Sequence, residues 1–327
     1  MEQLVNFSTY AVDLERFNND WTEVQQFCDE EGLDGIELLY GTDPGENQPP
    51  SDLVKTIHFP GWFGWTRAWT DPHSIPDNAD RAEIEYFFGA EDSKRLFSRF
   101  SSLLNTAHDL NASYGVLHIS HVELDEVFTR KFRKTSSDVL FAAASFVNAV
   151  AASYPGAEPP VPIAFENLWW PGLTYQSDEE LQYFMDLLQF DNWIFLLDTG
   201  HLMNHLQVKT EQEGIHKVLK TLKRLSPATR DRIRSIHLQC STSGMYQKTY
   251  FHCPPPEGFE ALTYREKMAT LIHHIPHIDE HRPFSQKECN DIISLIEPDF
   301  LVHEFITRSR DELKEKIRKQ KTLIMGR

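Results

Sequence analysis

The sequence contains no run of about eighteen apolar residues, the length that a membrane-spanning helix needs, so no membrane association is expected. Cysteine is scarce. Four are present in 327 residues (Cys28, Cys240, Cys253, Cys289), without a C-x-x-C element or a framework spacing. This excludes a disulfide-stapled secreted fold and points to reduced, cytoplasmic surroundings. The opening Met1-Glu2-Gln3 runs into a strand-like segment and lacks the basic and apolar regions of a signal peptide, in keeping with that expectation. Positive charge is also in deficit, with 32 Lys and Arg against 49 Asp and Glu and a formal charge of -17. Proteins that dock on nucleic acid concentrate cations to displace counterions from phosphates. Here the basic stretches are confined to residues 130–134, residues 230–234 and the C-terminal helix, all of which read as solvated helix ends. A nucleic-acid partner is therefore not expected. Finally, no Gly-rich phosphate loop follows the first strand, which argues against an open dinucleotide-binding sheet.

What is present is alternation. Apolar, strand-like runs at 4–8, 35–39, 55–59, 114–119, 162–166, 193–198, 233–238 and 300–304 are separated by segments of helical period. The strongest of these carries Leu96, Phe97, Phe100, Leu103, Leu104, Ala107 and Leu110 on one face. The second crossover is rich in Gly and Pro, leaving room only for a short, degenerate helix at 51–54. Ser285 and Glu288 have the S-x-x-E spacing of a capping box for a helix at 285–296. Eight strands with helical crossovers predict an α/β fold, a single (β/α)8 TIM barrel over residues 1–327. Two segments break the rhythm. One is an aromatic loop at 58–90; the other is an insertion at 239–283, read as a lid or a contact between copies in a homo-oligomer.

Barrel chemistry takes place at the C-terminal strand ends, and there the ionisable residues form a uniform set. Strand three ends in His58, strand four in His118, strand five in Glu166 and strand six in Asp198, with His201 three residues on. Strand seven carries His237, strand eight ends in Glu304, and Asp279 and His281 precede the following helix. Carboxylates and imidazoles gathered in one semi-buried place call for a compensating cation. The mixed oxygen and nitrogen donors suit Mn²⁺, Zn²⁺, Co²⁺ or Fe²⁺. In the aromatic loop Trp62, Trp65 and Arg67, with Trp169 after strand five, are candidates for substrate contact through stacking or anion binding. Their alternative role is packing of the loop on the rim. Cys240, Cys253 and His252 lack zinc-finger spacing and are not expected to form a separate site.

Together Gly35-Ile36-Glu37-Leu38, Phe165-Glu166-Asn167, Leu197-Asp198-Thr199-Gly200-His201, His237-Leu238-Gln239 and His303-Glu304-Phe305 resemble the xylose isomerase-like barrel superfamily, which includes sugar isomerases, epimerases and enzymes of the endonuclease IV type. The epimerase branch implies one divalent ion (Mn²⁺ or Zn²⁺) held by Glu166, Asp198, His237 and Glu304. In that branch His201 touches a small-molecule substrate, and Glu166 and Glu304 act as the acid/base pair beside a metal-polarised carbonyl. The endonuclease IV branch implies three zinc ions on His58, His118, Glu166, Asp198, His201, His237, Asp279, His281 and Glu304. The D-x-H element Asp279-Glu280-His281 lies farther from His237 than in those enzymes, and the chain is acidic. The leading expectation is accordingly a metal-dependent sugar or sugar-like isomerase or epimerase. A multi-zinc hydrolase or phosphodiesterase is the alternative, and a non-catalytic metal-containing binding barrel the third reading.

Overall fold

The computed structural model describes residues 1–327 except 42–44, 46, 77–78, 251–252 and 325–327, so His252 lies outside the described residues. Eight parallel strands close into a barrel in chain order: β1 (Glu2–Ser8), β2 (Gly35–Leu39), β3 (Val54–His58), β4 (Gly115–His118), β5 (Ile163–Glu166), β6 (Trp193–Asp198), β7 (Ile233–Leu238) and β8 (Phe300–His303). β1 pairs with both β2 and β8, which completes the closure.

The two-residue period of a strand sorts the side chains. Tyr114, Val116, Ala164 and Leu196 form a small apolar cluster of their own inside the barrel. Their neighbours Leu117, Ile163, Phe165, Phe195 and Leu197 belong to the larger core shared with the surrounding helices. Continuing the inward parity by two residues reaches His118, Glu166 and Asp198, so the same alternation that builds the core lifts the polar side chains into the mouth. Register keeps them level: His118 is opposite Glu166, and Asp198 opposite His237.

Several local expectations change. Residues 51–53 form a turn and β3 starts at Val54, so no helix occupies 51–54. The Leu53 carbonyl accepts from Ile36 N–H, which draws this stretch into the sheet. Ser285 and Glu288 do not form a capping box. Glu211 from a neighbouring helix takes the backbone N–H and hydroxyl of Ser285 at 2.7 and 2.6 Å, and the regular helix begins only at Asn290. The aromatic loop is itself partly helical, over Trp65–Thr70 and Arg81–Phe87, the latter started by an Asp80/Glu83 capping box.

The insertion after β7 holds helices Gly244–Tyr250 and Tyr264–His274. Its two ends are tied by an antiparallel bridge in which Cys240 N–H donates to Arg282 O at 2.7 Å and Arg282 N–H donates to Cys240 O at 3.2 Å. Ser241 Oγ donates to Ile278 O at 2.6 Å just inside that bridge. The insertion is therefore an excursion that leaves and returns at one point, which sets Asp279 and His281 down beside the end of β7. No helix among the described residues is long and apolar enough to cross a membrane, and all four cysteines are free.

Candidate metal centre

Glu166 stands at the centre. It is fully buried at the end of β5, and its two oxygens face different partners. Oε2 lies 3.2 Å from His58 Nε2 and 3.0 Å from His118 Nε2. Oε1 lies 3.2 Å from His201 Nδ1 and 3.4 Å from His237 Nδ1. His237 Nδ1 is in turn 3.4 Å from Glu304 Oε2 and 3.9 Å from Asp198 Oδ2. A third group forms around Asp279, whose Oδ2 is 3.3 Å from His201 Nε2 and 2.6 Å from His281 Nε2. The nine residues thus sort into three sets, each with donor atoms within 4.8 Å of one another: His58, His118 and Glu166; Glu166, Asp198, His237 and Glu304; His201, Asp279 and His281.

Surrounding groups orient these donors. His58 Nδ1 sits 2.7 Å from Phe59 O and His201 Nδ1 2.9 Å from Asn167 O. A proton on each Nδ1 satisfies the carbonyl and leaves Nε2 bare, the arrangement that a metal-binding imidazole requires. Asp198 also caps the helix Thr199–His205 by accepting His201 N–H at 2.5 Å. The Asn167 side chain clasps the Asp198 backbone through bonds of 2.9 and 3.1 Å. Gln239 Nε2 donates at 3.1 Å both to Asp198 Oδ1 and to Asp279 Oδ1, and Asn204 Nδ2 also donates to Asp279 Oδ1 at 3.1 Å. His281 has φ +44°, a left-handed turn that points the chain back toward the Cys240 bridge.

Charge is poorly balanced by the protein alone. Burial pushes the Glu166 carboxyl up, but His118 and His237 outweigh it and hold the group well below the usual carboxylate range. At Asp198 burial prevails over His201 and, reinforced by Glu304, pushes the carboxyl well above that range. His281 is lowered by burial but carried up to about 9 by Asp279 and Glu304. Glu166 Oε1, His237 Nδ1, Glu304 Oε2 and His281 Nδ1 are buried without a hydrogen-bond partner among the described residues. Unpaired buried polar atoms cost on the order of 1–3 kcal/mol each. Three of the four face one another in the central set, where a cation would satisfy them together. The donor set, oxygen and imidazole nitrogen without thiolate, fits divalent zinc or manganese.

No protein-family model matches the sequence, and no curated protein matches it. Solved structures match along the whole chain. A D-tagatose 3-epimerase-like protein superposes with a TM-score of 0.52 at 14% identity, covering 99% of this chain and 98% of that one. A D-psicose 3-epimerase in the presence of D-fructose gives 0.51 at 10% identity, over 98% and 90% of the two chains. The D-psicose 3-epimerase of Clostridium cellulolyticum H10 with D-tagatose gives 0.50 at 11%, over 100% and 92%. The chain shares the closed eight-stranded parallel barrel fold of these structures. At these identities the likeness is one of architecture, and the chemistry must be argued from the residues.

At the mouth of this barrel all nine candidate ligands converge, including the sequence-distant Asp279 and His281. The candidate substrate contacts divide. Trp169 packs beside the centre, its ring 5.1 Å from that of His201. Trp62 and Trp65 are only 4% and 2% exposed, and Trp65 Nε1 donates to Ser120 O at 2.8 Å. Arg67 is engaged by Glu123 at 2.7 Å. These three pack the loop onto the rim, where apolar burial and a satisfied cation hold it. A tenth residue, given no site role by the strand-end pattern, also takes part. Glu37, buried in the middle of β2, has Oε1 2.7 Å from His237 Nε2, and its Oε2 accepts from Thr56 Oγ1 at 2.9 Å and Tyr114 Oη at 3.2 Å. A carboxylate flanked by Ile36 and Leu38 in a barrel strand, at inward parity, is the signal that would have found it.

Proposed function

We propose that this protein is a phosphoester hydrolase that works with three divalent metal ions, zinc being the best fit to the donors. The observation that supports this reading is the bridging position of Glu166, one oxygen toward His58 and His118 and the other toward His237 in the set completed by Asp198 and Glu304. One ion needs four ligands at most from such a site, whereas nine donors in three sets fit a cluster. Ions held by these residues would supply Lewis-acid polarisation of phosphoryl oxygens and would lower the pKa of a bound water toward neutrality.

The chain's own residues have three tasks. Glu166 ties the sets together. Gln239 and Asn204 hold Asp279 in place. Glu304, whose side chain is 13% exposed, is the ligand carboxylate that borders the open cavity. In hydrolysis a water oxygen bonds to phosphorus, the P–O bond to the organic group breaks, and the departing alcohol takes up a proton. Glu304 borders that space and can carry the proton from water to alcohol. The acidic net charge favours a small-molecule phosphoester over a nucleic acid.

A second reading, a one-ion sugar epimerase, draws on the central set alone, since Glu166, Asp198, His237 and Glu304 make a complete four-ligand site containing two carboxylates of the acid/base type. Elemental analysis of zinc-reconstituted protein separates the two. Three ions per chain, with para-nitrophenolate release from bis(para-nitrophenyl) phosphate, is the expected result. One ion per chain and no release would replace the hydrolase reading with the epimerase.

A further inference from the structure

The aromatic loop, for which a stacking wall and packing on the rim were the two expectations, is packed on the rim, and an open space adjoining the metal centre lies on the other side of the mouth. A cavity of about 480 Å³ opens between the segments that follow β1 and β8. One end is bordered by His58, His118 and Glu304, and its walls include Phe7, Leu39 and Phe305. At its lip are Val12 and Ile306, which are 69% and 57% exposed although both are large and apolar. The volume is that of a pocket that encloses a small organic ligand.

Charge in the cavity is self-contained. Among the described lining residues Arg16 is the single Arg or Lys, and both of its terminal nitrogens are engaged, while its Nε is buried. Asp13 pairs with its guanidinium, and Thr307 accepts at its Oγ1 (2.7 Å) and its carbonyl (3.1 Å). The cavity therefore offers apolar contact without a spare cation for a further phosphate, which disfavours a polyanion.

We propose that this cavity is the subsite for the organic half of the substrate, and that the substrate is a small phosphoester bearing one apolar, ring-sized group. The proposal rests on the hydrolase reading for the phosphate end, and on the cavity's contiguity with His58, His118 and Glu304 for the rest. A phosphoryl group on ions that His58, His118 and Glu304 would help to hold would place its ester substituent in the cavity whose lip carries Val12 and Ile306. Burial of that substituent is what distinguishes a benzyl from a methyl ester.

Calorimetric titration of zinc-loaded protein with benzyl phosphate and methyl phosphate tests this, with release of inorganic phosphate from each recorded separately. Benzyl phosphate should bind roughly tenfold more tightly or better. The preference should collapse toward unity in V12D/I306D, whose substituted positions are exposed and outside the core. Equal affinities, a preference that survives in V12D/I306D, or binding of neither ester would overturn the subsite. Absence of phosphate release counts against hydrolysis alone, and the comparison of affinities then still decides the cavity.

Discussion

Glu37 and His237 meet inside the barrel, with Glu37 Oε1 2.7 Å from His237 Nε2, while the opposite ring nitrogen faces Glu166 and Glu304 at 3.4 Å. A carboxylate behind a histidine fixes the ring's orientation and strengthens it as a donor. Tyr114 is drawn into the same chain, 3.2 Å from Glu37 Oε2 and 2.7 Å from Ser235 Oγ. Glu37→Gln keeps the shape but removes the charge. It should weaken zinc binding at the central set by roughly 10–100-fold. Competition with a chromogenic chelator measures this directly, and an unchanged affinity would reduce Glu37 to a packing role.

Gly61 leaves room for His118. A Cβ at that position would lie 2.9 Å from His118 Nδ1, closer than real contacts allow. Gly61→Ala should therefore displace the imidazole and spoil the set formed with His58 and Glu166, leaving the other two intact. The expected reading is two zinc ions per chain with an unaltered circular dichroism spectrum. Three ions would show that His118 can shift without loss.

How far the sequence could be read differs from element to element, for physical reasons. β5 and β6 each end an apolar run with an ionisable residue and β7 carries His237 one residue before its end, and in a parallel barrel these strand-end positions face the mouth, which makes Glu166, Asp198 and His237 legible. Glu37 is not, because attention to strand ends passes over a strand's middle, and only inward parity marks it. Asp279 and His281 were the less secure ligands, since the bridge between Cys240 and Arg282 that returns them to the mouth is a long-range pairing with no local signature. The Trp62 and Trp65 side chains could face a ligand or the rim with the same sequence. Glu211, far from Ser285 in the chain, decided how the helix after the insertion begins.

The C-terminal helix Arg310–Ile324 is fastened to the helix Trp21–Glu31 through Glu31, which Arg318 grips at 2.7 and 2.9 Å and Lys314 approaches at 3.2 Å. Burial raises the Glu31 pKa, but these cations outweigh it and the net shift is downward. A carboxyl held lower in the folded state stabilises the protein above its unfolded pKa of about 4.3, and the contribution is lost as pH falls through the folded value. Glu31→Gln should lower the melting temperature at neutral pH and by progressively less below pH ~4. Equal losses at pH 7 and pH 3 would mean that the pair carries no charge-dependent stability.

The bridging role of Glu166 makes a stoichiometric prediction that no single-ion site shares. Its Oε2 belongs with His58 and His118, and its Oε1 with His237, Asp198 and Glu304. Replacing it by Gln swaps one carboxylate oxygen for an amide that cannot bind a cation, and it removes the negative charge that both sets share. Asp279 serves the third set alone, with His201 and His281. Glu166→Gln should thus lose two of three ions and Asp279→Asn only one, as counted by elemental analysis after gel filtration. If the two variants retained the same number, the carboxylate would not be a bridge, and the three sets would have to be independent sites that happen to lie side by side.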